Sequence, residues 1–175
     1  MTEGSFSSSD AGWAHRASLI DLKPHGSALG TAVPADDRAA INEVFARYAI
    51  AYDERRFDVL ASCFHDDASY DVWLGPRQVA KFEGRQALVD GIESVIAEQG
   101  AEQRRHHIGN IVLDPLGPAA VLATAYANVV IVGPGGVAVQ ASAIYNAELA
   151  RRDDIWRFTK VVVGLDGYMG KPPER

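Results

Sequence analysis

The stretch Arg104-Arg105-His106-His107-Ile108-Gly109-Asn110 sets two histidines and an amide at the head of an apolar run, Ile111-Val112-Leu113. Histidine has the side chain whose unperturbed pKa lies nearest neutrality, which makes it the default proton carrier. A histidine at a strand end also serves as a plain, half-exposed structural residue, so chemistry requires partners. Candidates lie upstream. Tyr48 and Tyr52 are one helical turn apart, and Asp53 follows Tyr52 directly. A buried tyrosine must find a partner for its hydroxyl. Two tyrosines with a carboxylate beside them suggest the floor of a polar pocket, although an amphipathic helix using tyrosines as core fillers has the same spacing. Two other chemically capable groups read as inert. His65-Asp66-Asp67 are adjacent, cannot all converge on one ion, and fit a solvated turn rather than a metal site. Cys63 sits in an apolar helical pattern and reads as a packed thiol.

The elements that must position these groups follow from periodicity. Pro34-Ala35-Asp36-Asp37 opens a helix, with Asp36 or Asp37 as its cap. Ile41, Val44, Phe45, Tyr48 and Tyr52 form its apolar face. Phe57, Leu60 and Phe64 mark a short second helix. Ser69 to Trp73 reads as a strand, Gly75-Pro76 as a turn, and Gln78 to Phe82 as the returning strand. After Gly84 a third helix presents Leu88, Ile92, Val95 and Ile96, ending at Gly100. Four strands follow: Arg104 to Leu113, Val121 to Val132, Val137 to Ala150, and Ile155 to Val163. The turns between them are Pro115-Leu116-Gly117-Pro118, Gly133-Pro134-Gly135-Gly136 and Arg152-Asp153-Asp154. Long strands joined by tight turns predict an antiparallel meander. Residues 1–34 are rich in Ser, Gly and Pro and read as an irregular arm, anchored at most by Trp13, Leu19, Ile20 and Leu22. One domain over residues 35–168 and a short tail, 169–175, complete the organisation.

Composition bounds the function. The chain has 175 residues, 47% apolar and 23% charged, which suits one globular domain. A net charge of -6 argues against nucleic acid as a partner. No apolar run approaches a membrane span. The N-terminal residues lack the basic start and apolar core of a secretory signal, and a single cysteine forms no internal disulfide. Together these predict a cytoplasmic location. No phosphate-binding glycine loop, dinucleotide fingerprint or GxSxG elbow is present.

The order helix, helix, hairpin, helix, long meander, with Phe82-Glu83-Gly84-Arg85-Gln86-Ala87-Leu88 before the third helix, resembles the nuclear transport factor 2-like superfamily. Within it the chain is similar to the SnoaL-like and scytalone dehydratase group, over about residues 36 to 165. The resemblance implies an α+β fold of the cystatin-like type, a cone-shaped, mainly antiparallel sheet wrapped against three helices around a deep pocket. Scytalone dehydratase carries a Tyr-Asp pair ending its first helix, matched here by Tyr52-Asp53. Its second pocket tyrosine falls on Tyr70, its His-x-Ile-Gly histidine on His106, and its pocket asparagine on Asn146. Tyr48, Trp73, His107 and Asn128 are the further positions expected to contact substrate. The second histidine of that enzyme's next strand has no counterpart in Ala125-Tyr126-Ala127-Asn128, which leaves the protonation of a leaving group open.

This set predicts an acid–base device. Asp53 would accept a hydrogen bond from one ring nitrogen of His106 and leave the other to take a proton. Tyr52 and Tyr70 would donate to a substrate carbonyl and stabilise an enolate. Dehydration, isomerisation and cyclisation all start from that step, and none needs a metal or organic cofactor. The expected function is therefore a cofactor-free dehydratase, isomerase or cyclase acting on a hydrophobic hydroxy-carbonyl compound such as a polyketide, steroid or terpenoid. The alternative is a non-catalytic ligand-binding or subunit-assembly domain of the same fold. Side chains alternate along a strand, so only one of His106 and His107 can face the pocket; the His-x-Ile-Gly match selects His106. Apolar residues on both faces of the meander, as in Val129-Val130-Ile131-Val132 and Val161-Val162-Val163, predict a homodimer through the outer face of the sheet.

Overall fold

The computed structural model describes residues 19–24, 33–98 and 102–168. Trp13, Gly100 and the tail 169–175 lie outside them. Helix α1 spans Ala35–Asp53 and α2 spans Phe57–Ser62. The hairpin β1 (Phe64–Leu74) and β2 (Arg77–Glu83) leads to α3 (Arg85–Glu98). Strands β3 (Gln103–Gly117), β4 (Ala120–Gly133), β5 (Gly136–Arg152) and β6 (Ile155–Tyr168) complete the chain. They form one curved, unclosed six-stranded sheet in the order β2-β1-β6-β5-β4-β3. All neighbours are antiparallel except β1 and β6, which run parallel from Ser69↔Lys160 to Leu74↔Leu165. Among the described residues no helix is long and apolar enough to cross a membrane.

Helix α1 buries Ile41, Val44, Phe45 and Tyr48 on one face against the sheet, as its spacing predicts. Phe45, Tyr48, Phe64 and Phe158 meet edge to face or tilted, with ring centroids 5.0–6.0 Å apart. The inward positions of β4 and β5 are mostly small: Ala123, Ala125, Ala127, Ala141, Ala143 and Ala147 are all buried. Alanine has little propensity for strands. Here it keeps the concave wall thin, which leaves room inside.

Four local expectations need correction. No side chain caps α1; its N-cap is Pro34. Asp37 instead accepts hydrogen bonds from the Trp156 indole N–H at 2.8 Å and the Arg151 guanidinium at 3.1 Å. This ties the helix start to the β5–β6 hairpin, and the acidic charge still complements the helix dipole. His65-Asp66-Asp67 is the start of β1, not a solvated turn, and Phe64 belongs to that strand rather than to α2. His65 is buried, with Nε2 3.0 Å from the Ala150 carbonyl oxygen. Asp66 and Asp67 point outward to Arg85 and Arg152. Phe64, paired with Phe158 of β6, and Ala68 are buried on either side, so tertiary packing overrides the polar local sequence. Pro115 lies within β3 instead of in a turn; β3 is an edge strand, where a missing N–H is tolerated.

The outer face of the sheet is partly covered by the chain itself. Leu19 is buried against Ile144 of β5, with Ile20 and Val162 packed beside them. Val161 and Val163 face the main core, so the apolar run in β6 is shared between two layers. Cys63 is buried, and burial pushes its thiol up to about 11.

Candidate active site

The cavity lies between the concave face of the sheet, α3 and the end of α1, and has a volume of about 640 Å³. Tyr52, Tyr70, His106 and Tyr145 line its inner wall, with apolar surface from Phe82, Ile92 and Val129. That size and mixture suits a small organic ligand.

His106 and Asp53 meet through the joint between α1 and β3. The last turn of α1 delivers Asp53, and the first residues of β3 clamp it. Asp53 Oδ1 lies 2.5 Å from His106 Nδ1, and Oδ2 accepts the His106 backbone N–H at 2.7 Å. Gln103 Nε2 donates to the Asp53 carbonyl oxygen at 3.0 Å, satisfying one of the carbonyls left open at a helix end. Arg105 pairs with Glu54 at 3.0 Å outside. A carboxylate at a helix C-terminus opposes the dipole by roughly 0.3–1 kcal/mol. Stability alone therefore disfavours an acid at this position, whereas an imidazole to be oriented gives it a use. The side chains of His106 and Asp53 are only 8% and 6% exposed. With Nδ1 engaged, Nε2 is the ring nitrogen left for a ligand. The Tyr52 ring leans on the imidazole, centroids 4.7 Å apart.

A second cluster lies beside Tyr52, whose ring centroid is 6.3 Å from that of Tyr48. Tyr48 Oη is 2.7 Å from Tyr70 Oη and 3.4 Å from Tyr145 Oη. Burial is the main cause that holds the Tyr48 and Tyr70 hydroxyls well above the usual phenol range. Both stay protonated at neutral pH and serve as donors. Tyr48 is fully buried and does not line the cavity. Its i, i+4 relation to Tyr52 holds, but it acts behind Tyr70 and Tyr145 instead of touching a ligand.

The remaining positions fall elsewhere. His107 and Asn128 are direct cross-strand partners, both exposed on the outer face. Asn146 also faces outward, its amide donating to the Leu19 carbonyl oxygen at 3.0 Å. Trp73 alternates with the cavity-lining Val72 and Leu74 and is not in the wall. Strand parity is the physical reason in each case: the expected substrate-contacting roles of His107, Asn128, Asn146 and Trp73 do not fit these positions. Reading by residue type missed Tyr145, Arg104 and Gln140, which all line the cavity. Tyr145 had a legible signal, because it is the one large side chain in the inward series Ala141, Ala143, Tyr145, Ala147. Among the described residues no group of three or more His, Cys, Asp or Glu side chains is placed to hold a metal ion.

The chain belongs to the SnoaL-like domain family, whose match covers residues 34–162. No curated protein matches it significantly. Among solved structures, a protein from Catenulispora acidiphila in complex with S-DNPA is 26% identical, with a TM-score of 0.66 over 76% of this chain and 96% of that one. Aln2 from a Streptomyces species is 18% identical, TM-score 0.66, covering 75% and 91% of the two chains. A candidate scytalone dehydratase from Novosphingobium aromaticivorans is 17% identical, TM-score 0.64, covering 79% and 90%. The last two are likenesses of fold, and a fold of this kind hosts many activities.

Proposed function

We propose that this chain is a cofactor-free acid–base enzyme acting on a hydrophobic hydroxy-carbonyl compound, as a dehydratase, isomerase or cyclase. The observation that carries the reading is the 2.5 Å contact between Asp53 Oδ1 and Nδ1 of His106, which lines a cavity of about 640 Å³. His106 Nε2 removes a proton from the carbon next to the substrate carbonyl. The electron pair moves onto the carbonyl oxygen, which receives hydrogen bonds from Tyr70 and Tyr145, or from Tyr52. Tyr48 supports the first two from behind. Asp53 stabilises the imidazolium that forms. In a dehydration the enolate re-forms the carbonyl and expels the β-hydroxyl, which takes the proton from His106 and leaves as water. In an isomerisation the same proton returns to a different carbon; in a cyclisation the enolate carbon attacks a second carbonyl, whose oxygen takes the electron pair and then the proton from His106.

All three outcomes share the first proton transfer, so one assay covers them. A panel of bicyclic and tricyclic β-hydroxy ketones is incubated in D2O, and exchange at the α-carbon is followed by NMR. Catalysed exchange or elimination that disappears in His106→Ala is expected. Ligands that enter the cavity yet show neither exchange nor turnover would instead identify a binding domain.

A further inference from the structure

We propose that the cavity selects ligands bearing a carboxylate, and that Arg104 receives it. This rests on the reading of the cavity as a substrate site and adds the class of substrate. Arg104 stands two residues before His106 on β3, hence on the same face and roughly 7 Å away along the strand. Its side chain lines the cavity, whereas its neighbour Arg105 faces outward to Glu54. Arg47, Arg56, Arg85, Arg151 and Arg152 likewise each have a carboxylate partner. Among the described residues Arg104 forms no ion pair, and its buried Nε has no hydrogen-bond partner. A buried donor left unmatched costs free energy, so packing alone does not account for an arginine at this position.

The guanidinium is also aimed. Its Nη1 donates to Gln140 Oε1. The pairing of β4 with β5 shifts between Val129↔Ala141 and Val130↔Val139, which leaves Gln140 as an extra residue. Such a bulge re-aims a side chain, and here it brings Gln140 into the cavity beside Ala141. A neutral amide orients the guanidinium without cancelling its charge. The guanidinium's fork of donors matches a carboxylate in the bidentate manner. The other charged groups on the wall are Arg77, Glu98 and Glu102, all exposed, where solvent screens them; Asp53 lies behind His106 and is paired with it.

The test compares 2-naphthoate with 2-naphthamide, nearly equal in shape, by isothermal titration calorimetry. Wild-type protein is expected to bind the acid at least about tenfold more tightly, as a charge-assisted bidentate contact allows. Arg104→Met should abolish that preference and leave amide affinity unchanged, and Gln140→Ala should reduce it. Neither probe carries a proton on the carbon next to its carbonyl, so binding rather than proton transfer is read. A failure of the acid–base reading, seen in turnover, is thereby separate from a failure here. Equal affinity for the two probes, no binding of either, or a preference that survives in Arg104→Met overturns the proposal. If Arg104→Met does not fold by circular dichroism, Gln140→Ala decides: a reduced preference supports the assignment and an unchanged one overturns it.

Discussion

Asp53 grips His106 at two points, the ring through Oδ1 at 2.5 Å and the backbone N–H through Oδ2 at 2.7 Å. The second bond fixes where the residue sits and the first fixes how its ring is turned. One carboxylate thus controls position and tautomer together, and the pair is expected to behave as a unit.

On a substrate found by the exchange assay, His106→Ala should lower turnover roughly 100-fold or more, the usual worth of a general base. Asp53→Asn keeps one acceptor but offers the ring an N–H donor or a weaker acceptor, and should do nearly as much harm. The double variant should be little worse than either single one. Tyr70→Phe should cost less, since Tyr52 and Tyr145 remain. Steady-state kinetics of the four variants check this; losses that multiply in the double variant would mean that the two residues work separately.

Tyr48→Phe should destabilise the fold by about 1 kcal/mol, the net worth of a buried hydrogen bond. Its folded-state hydroxyl is held above the usual phenol range, chiefly by burial. The associated stability is therefore complete below about pH 10, where an unfolded tyrosine ionises, and is lost as the pH rises beyond that. Urea melts across the alkaline range should show wild type losing this stability, with Tyr48→Phe less sensitive because Tyr70 alone remains to titrate within the pair.

Gly91 of α3 packs directly on Phe82, such that an added Cβ would come within 2.2 Å of the ring. Gly91→Ala must push the Phe82 ring, which lines the cavity. A loss of roughly 1–3 kcal/mol is expected from overpacking, even though alanine favours a helix. Thermal melts measure the loss, and a more stable variant would contradict the packing.

The thiol of Cys63, buried and pushed up to about 11, should be inert to disulfide reagents at neutral pH in the native state. Reaction should appear only on unfolding, read by absorbance against a denaturant series.

A homodimer through the outer face of the sheet remains our expectation, now with a narrower footprint. Leu19 and Ile20 already cover Ile144 and Val162. What stays exposed is a stripe along β4 and β5: Tyr126, Val132, Val137 and Val139 are 40–72% exposed. Light scattering should give a dimer mass, and Val139→Glu should return a monomer. A wild-type monomer at micromolar concentration would end this expectation.

Much of this architecture was legible locally. The spacing of Ile41, Val44, Phe45, Tyr48 and Tyr52 marks α1, and the turns at Gly75, Gly133 to Gly136 and Asp153-Asp154 mark the hairpins. Asp153 and Asp154 both take positive φ, as a tight two-residue hairpin demands. Contacts between distant segments left weaker traces. Nothing near His65-Asp66-Asp67 announces that Phe64 before it and Ser69 after it will pair with the last strand, so polarity there suggests a turn. Register decided the site in the same way. Residue type nominated His107, Asn128 and Trp73, and the family resemblance nominated Asn146, but parity turns all four away from the cavity. The Gln140 bulge depends on pairing between two whole strands and has no local pattern.

The parallel pairing of β1 with β6 also dictates an order of events during folding. Tyr70 in β1 is paired with Val161 in β6, across almost the entire sheet-forming part of the described chain. Such distant pairing forms late, because a large loop must close before any contact rewards it. The β1–β2 hairpin has no other strand beside it until β6 arrives. The hydroxyl cluster of Tyr48, Tyr70 and Tyr145 therefore assembles only with the final strand. A chain stopped short of residue 155 would lack Phe158, on which Phe45 and Tyr48 of α1 pack, and the part of the cavity wall formed by Val163 and Leu165. Refolding should accordingly show the environment of these tyrosines maturing in its slowest phase.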